Sequence, residues 1–131
     1  MEAEGTTEKI RVLVVEDQPK ILKNQLKLLE SAPEVDIVGT AMSGESALNE
    51  IPGCSPDVIL LDLQLPRMSG IEVTREVKAK WPHIEILIFT IFDEENSVLD
   101  AIRAGASGYL LKGATADKII EAIRDVRSGG T

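Results

Sequence analysis

Val58-Ile59-Leu60-Leu61-Asp62-Leu63-Gln64-Leu65-Pro66 is the stretch whose reading decides the fold of this chain. It opens with four aliphatic residues and no polar alternation, which suits a strand buried on both faces of a parallel sheet. The run then reaches the carboxylate of Asp62, and Pro66 stops any further extension. In open α/β folds the carboxyl end of such a strand faces the crevice where ligands bind. Aspartate is seldom buried unless it is paired or holds a metal. Asp62 therefore requires a partner, and the flanking sequence supplies candidates.

Upstream, Ile10-Arg11-Val12-Leu13-Val14-Val15 makes a first strand that ends in Glu16-Asp17. Pro19 fits the first turn of a helix, with Asp17 or Gln18 as its cap. Leu22, Leu26 and Leu29 share one face of that helix, which runs to about Ser31. Val35-Asp36-Ile37-Val38-Gly39 is a second, shorter strand. Ser43 can cap a second helix carrying Ala47, Leu48 and Ile51, with Pro52-Gly53 ending it.

Downstream, Met68-Ser69-Gly70 opens a third helix in which Val73, Val77 and Trp81 recur every fourth residue until Pro82. Ile84-Glu85-Ile86-Leu87-Ile88-Phe89-Thr90 is a fourth strand. Residues 93–104 form a weaker helix, anchored by Val98 and Ile102 and stopped by Gly105. Ser107-Gly108-Tyr109-Leu110-Leu111-Lys112 is a fifth strand, and a last helix carries Ile119, Ile123 and Val126 before Ser128-Gly129-Gly130 frays it out.

Five strands alternating with five helices, without hairpin signals, predict an α/β fold with a doubly wound parallel sheet. Right-handed crossovers and two faces to cover give the strand order 2-1-3-4-5. The switch point then lies between the first and third strands, which brings Glu16, Asp17 and Asp62 together. The 131 residues make one domain, expected over 9–127, after a disordered acidic tail at 1–8 and before the start of a linker at 128–131.

A net charge of −8 argues against direct nucleic-acid binding. The single cysteine, Cys54, and single histidine, His83, exclude an internal disulfide and a soft metal site. Cys54 has no basic neighbour in sequence to activate it, and His83 reads as solvated at a helix–strand turn. The N-terminus lacks the basic and apolar regions of a signal peptide, and no apolar run approaches the ~20 residues that cross a bilayer. A cytoplasmic protein with no membrane contact is the expectation.

Two unit charges ~4 Å apart repel by about 4 kcal/mol at an effective dielectric of ~20. A cluster of three carboxylates therefore needs a proton or a cation. Hard oxygen ligands suit Mg²⁺, which takes one or two carboxylates, waters and a phosphate oxygen. The plainer alternative is that Glu16 and Asp17 only cap the first helix. Thr90 and Lys112 end the fourth and fifth strands. From there a lysine can pair with a carboxylate or phosphoryl oxygen, and a threonine hydroxyl can donate to the same group. Singly, Thr90 is a β-branched residue suited to strands and Lys112 a snorkelling surface lysine. Arg67 and Lys20 flank the crevice as candidate docking charges.

Val14-Val15-Glu16-Asp17-Gln18, the run from Asp57 through Asp62 and Pro66 to Gly70, and Ala104-Gly105-Ala106-Ser107-Gly108-Tyr109-Leu110-Leu111-Lys112 resemble the receiver domain of two-component response regulators. The Gly-Tyr-Leu-Leu-Lys segment and the closing Ile-Arg-Asp-Val-Arg-Ser-Gly-Gly are similar to the NarL/LuxR-type subfamily, in which a helix-turn-helix DNA-binding domain follows a linker. The resemblance implies that Asp62 is the phosphoacceptor. It implies that Glu16, Asp17, Asp62 and the backbone carbonyl of Gln64 hold Mg²⁺, that Thr90 and Lys112 contact the phosphoryl group, and that Tyr109 is the aromatic switch residue. A sensor histidine kinase is the implied donor, homodimerisation an implied response, and DNA is reached only through a C-terminal domain outside this chain. Such a domain takes part in its own phosphorylation and dephosphorylation without being a conventional turnover enzyme.

Phosphorylation would draw Thr90 in and vacate space for Tyr109, coupling the site to the surface of the fourth helix, fifth strand and fifth helix. Two departures stand out. Ile91 is bulkier than the family's usual small residue and, with Phe92, is expected to screen the phosphoryl group from water. Gly113 stands where many relatives have proline. Among other readings, a flavin-binding module would need a Ser/Thr/Gly-rich loop where Glu16-Asp17-Gln18-Pro19 stands. A haloacid-dehalogenase-type phosphatase would want an acid at Gln64. A stand-alone relay and a binding-only pseudo-receiver stay open.

Overall fold

The computed structural model describes residues 9–91 and 95–129. The tail expected at 1–8, Phe92, and residues 130–131 of the expected linker lie outside the described residues. Five strands, β1 (Ile10–Val15), β2 (Val35–Ala41), β3 (Val58–Leu61), β4 (Glu85–Thr90) and β5 (Gly108–Leu111), form one sheet. Five helices connect or follow them: α1 (Pro19–Glu30), α2 (Gly44–Cys54), α3 (Gly70–Lys80), α4 (Glu95–Ala104) and α5 (Ala116–Arg127). Every strand pairing is parallel and the order is 2-1-3-4-5, as the alternation of elements predicts.

The aliphatic run at 58–61 is buried along its whole length because it is the middle strand of the sheet. Side chains alternate across a strand, and the two sets have separate destinations. Leu13, Val15, Ile59, Leu61, Ile86 and Ile88 pack with Ala47 and Ile51 of α2, Val73 and Val77 of α3, and Ala101 of α4. Val12, Val14, Val58, Leu60, Leu87 and Phe89 pack on the opposite face with Leu29 of α1 and Ile119, Ile123 and Val126 of α5. Full burial of each Val, Leu or Ile contributes about 1.5–3 kcal/mol. With so few aromatics, these branched aliphatic layers make up most of the core.

The helix starts follow local chemistry. Ser43 Oγ accepts from the Ser46 N–H at 3.1 Å, and Thr115 Oγ1 accepts from Lys118 N–H at 3.3 Å. Ser69 and Glu72 form a reciprocal capping box at α3. Gln18 occupies the cap position of α1, and Pro19 supplies the pre-set first turn.

Three expectations are corrected. First, Pro52-Gly53 does not end α2, which continues to Cys54. Pro52 lies inside the helix and forfeits the i→i−4 bond to Leu48, and buried Ile51 and Cys54 hold the last turn on the sheet despite that cost. Ser55, at φ 45°, ends the helix, and the Arg11 guanidinium satisfies the carbonyls of Cys54 and Ser55 at 2.5 and 3.1 Å. Second, β2 reaches Ala41, because a register shift lets Leu13–Val15 pair with Gly39–Ala41. Third, Ile102 does not anchor α4: it is 56% exposed, whereas Ala101 is fully buried and Ala104 nearly so. The buried stripe of α4 is built on small residues, and the large aliphatics Leu99 and Ile102 point outward.

One close approach positions the crevice. Gly70 N–H donates to Leu63 O at 2.9 Å. A Cβ at position 70 would lie 2.4 Å from Asp62 O and 2.7 Å from Leu63 Cα. Only glycine lets the start of α3 seat against the backbone that carries Asp62. Gly70→Ala should cost about 1–3 kcal/mol, as overpacking against an immovable backbone does. Urea unfolding measures this, and an unchanged midpoint would show that the loop has room to yield.

Candidate functional site

Strands β1, β3, β4 and β5 are consecutive in the sheet, so their carboxyl ends present Glu16-Asp17, Asp62, Thr90 and Lys112 side by side. Glu16 is fully buried, Asp62 is 5% exposed, Thr90 is fully buried, and Asp17 is half-buried. One carboxylate oxygen from each of Glu16, Asp17 and Asp62 lies within 4.8 Å of the others. The sequence reading brought these three together, and the fold does so through its switch point. Glu16 does more than cap the start of α1: one of its oxygens accepts the Gln18 N–H, and the other pairs with Lys112.

Backbone pairing fixes the placement. Asp62 N–H donates to Val15 O at 3.2 Å, and Lys112 N–H to Thr90 O at 2.8 Å, so each strand end is tied to its neighbour. Lys112 Nζ donates to Glu16 Oε1 at 2.5 Å and to Asp62 Oδ2 at 3.0 Å. Asp62 Oδ1 accepts the Gln64 N–H at 3.2 Å, and Glu16 Oε2 accepts the Gln18 N–H at 3.2 Å. Asp17, Gln18, Gln64, Leu65 and Pro66 line one open depression beside the acids.

Burial pushes the Glu16 carboxyl above its ordinary value, against the lowering effect of its hydrogen bond from Lys112. Burial pulls the Lys112 ammonium down, but hydrogen bonds to Glu16 and Asp62 outweigh this and hold it above the usual lysine value. The two directions oppose each other, since one favours a neutral acid and the other an ionised pair. The 2.5 Å contact favours the ionised pair. Burial still leaves Glu16 under-compensated, and further positive charge at the cluster would relieve it. The donor set, three carboxylates with hard oxygens, fits a divalent cation.

The remaining sequence candidates are placed as follows. Tyr109 is half-buried on β5, opposite Ile88 of β4, and packs on the α2–α3–α4 side of the sheet. Ile91 is 65% exposed and lines an apolar groove with Ile21, Leu28, Phe89, Lys112 and Ala114. No cis peptide occurs among the described residues, and Gly113 adopts φ +104°. Arg67 pairs with Glu45 at 3.5 Å on an exposed surface, a contact that contributes little. His83 and Lys20 are exposed. Cys54 is buried, and burial raises its thiol pKa, so it is inert. One residue escaped the sequence reading. Gln25, buried on α1, has Nε2 3.5 Å from Glu16 Oε1. Its polar side chain sits between Leu22, Leu26 and Leu29, and only that interruption of an apolar face could have signalled it.

A family model, the response regulator receiver domain, matches residues 12–124. The transcriptional regulatory protein DegU of Brevibacillus brevis is 35% identical over 122 residues, covering 93% of this chain and 52% of that protein. The nitrate/nitrite response regulator protein NarL of Escherichia coli (strain K12) is 31% identical over 118 residues, covering 90% of this chain and 55% of NarL. The chain thus spans about half the length of these relatives. The crystal structure of a LuxR-family two-component response regulator from Aurantimonas sp. SI85-9A1 superposes with a TM-score of 0.89 at 31% identity, covering 94% of this chain and 88% of that one.

Two outcomes follow from the charge balance. Asp17→Asn removes one of the clustered charges and should stabilise the domain by about 1 kcal/mol in chelator-containing buffer. The gain should shrink when millimolar Mg²⁺ is added, and a gain indifferent to Mg²⁺ would dissociate the acids from metal. Lys112 has a folded value above its ordinary 10.5, so the stability it lends is complete below that value and is lost as pH rises through the raised one. The stability gap between wild type and Lys112→Met should therefore be full near neutrality and close in strong alkali, as read from urea midpoints.

Proposed function

The chain belongs to the response regulator receiver domain family, and from that premise we propose that Asp62 accepts a phosphoryl group from a phosphohistidine on a partner histidine kinase. The observation that carries this reading is Lys112 Nζ at 3.0 Å from Asp62 Oδ2, at a crevice ringed by three carboxylates. A buried carboxylate held beside an ammonium is a nucleophile with a counter-charge already in place.

In the transfer, an Asp62 carboxylate oxygen bonds to phosphorus while the phosphorus–nitrogen bond of the donor breaks. The imidazole leaves with that electron pair and takes up a proton. The product is an acyl phosphate, a mixed anhydride. Lys112 turns from Glu16 toward the equatorial oxygens, where charge spreads in the transition state. The Thr90 hydroxyl, at the end of β4, donates to the same group. Glu16, Asp17, Asp62 and the backbone carbonyl of Gln64 would hold Mg²⁺. When bound, that ion supplies neutralising charge and a template for the phosphoryl oxygens.

The output follows from a population shift. Thr90 moves toward the phosphoryl group, Tyr109 follows on the neighbouring strand, and the α4–β5–α5 surface changes. α4 suits this, because it packs through alanines and keeps Leu99 and Ile102 outside. Relatives named as transcriptional regulators support a transcriptional output, through a DNA-binding domain and a phosphorylation-dependent homodimer.

Incubation with Mg²⁺ and acetyl phosphate, followed by intact mass measurement, tests the reading. Wild type should gain ~80 Da, the mass of one phosphoryl group, and Asp62→Asn should gain nothing. Equal labelling of the two proteins would overturn the assignment of Asp62, and an inert wild type would overturn the function itself.

A further inference from the structure

Gln25 presents a problem that the site as described does not absorb. Its side chain is buried, at 4% exposure, and Gln25 Oε1 has no hydrogen-bond partner, the one such side-chain atom among the described residues. An unpaired buried carbonyl is destabilising. An apolar side chain of the same length would serve the packing of α1 without that penalty. Packing therefore does not account for an amide at this position.

The other end of the amide does. Gln25 Nε2 lies 3.5 Å from Glu16 Oε1. Turning the amide over would set its carbonyl against a carboxylate, so Glu16 fixes which way it points. Glu16 is fully buried and out of reach of bulk solvent. Its Oε2 accepts from the Gln18 N–H, and its Oε1 is shared by Lys112 and Gln25. Lys112 is itself divided between Glu16 and Asp62. A lysine that moves to a phosphoryl oxygen gives up the shortest contact Glu16 has. Gln25 and the Gln18 amide are the donors then left to hold it.

We propose that Gln25 is a positioning residue: from α1, its amide holds the Glu16 carboxylate in register with Asp17 and Asp62, and so sets the affinity of the acidic cluster for a divalent cation. This rests on the reading of the site as a Mg²⁺-assisted phosphoacceptor. Groups that orient metal ligands typically change metal affinity by about 10–100-fold when removed. The long 3.5 Å contact places Gln25 at the low end of that range.

Gln25→Met keeps the length of the side chain and removes both amide groups. Isothermal titration of the variant with Mg²⁺ should give a Kd about tenfold above wild type. The rate of labelling by acetyl phosphate should fall at sub-saturating Mg²⁺ and recover at saturation. The thermal midpoint in chelator should be unchanged or higher, because the orphaned carbonyl is gone. A residue that only packs would leave the Kd unaltered, whatever the midpoint does. An unchanged Kd, or a weaker Kd that merely tracks lost stability, overturns the proposal. Gln25→Leu repeats the measurement with a second apolar side chain should the first fold poorly. A wild type that binds no Mg²⁺ would instead overturn the reading of the site, so the two failures are separable.

Discussion

Like charges held close in a buried crevice constrain everything around them, and here one ammonium keeps them together. Lys112 reaches Glu16 from β1 and Asp62 from β3, spanning the strand between its own and theirs. Without it, two carboxylates removed from water would face each other with only two backbone N–H groups and the Gln25 side-chain amide in compensation. The sheet order, the parallel register and the tie between Lys112 and Thr90 all serve to bring that ammonium to its place. A buried ion pair of this kind is weak support for stability, since desolvation offsets much of the attraction. Its value lies in chemistry: the site holds charge that a phosphoryl group or a cation can redistribute.

Much of this was legible in the residues, and for identifiable reasons. A run such as 58–61 is dictated by burial on both sides, and no competing pattern reads the same way. Once β1 and β3 are neighbours, the acids at their ends must converge, so the cluster follows from topology. The readings that failed involve small or amphipathic signals. Ala101 and Ala104 are the buried residues of α4, but alanine weighs little against Ile102 in a periodicity argument. Pro52 reads as a stop, although a last turn held by buried Ile51 and Cys54 tolerates it. Gln25 looks like the polar edge of an amphipathic helix, because nothing local reveals that Glu16 lies beyond it.

The two faces of the sheet divide the labour. α1 and α5 cover one side with Leu29, Ile119, Ile123 and Val126, all nearly or fully buried. α2, α3 and α4 cover the other, and within that layer α4 is the least firmly anchored. Tyr109 packs on that same side. A change that starts at Thr90, as proposed, would meet that layer, whereas α1, which carries Gln25 and follows Glu16-Asp17, lies on the opposite face. A firmly packed face opposite a more thinly anchored one suits a binding event that is to be felt at a distance.

Glu16 and Lys112 stand 96 positions apart in the chain, and Asp62 and Lys112 stand 50 apart. Contacts of such long sequence separation close late, since the entropy of the intervening loop must be overcome first. A nascent or partly unzipped chain, in which the fifth strand has not docked, exposes its aspartate with no ammonium beside it. On the proposed reading, competence to receive phosphate then belongs to the completed fold, in which Lys112 has reached Asp62.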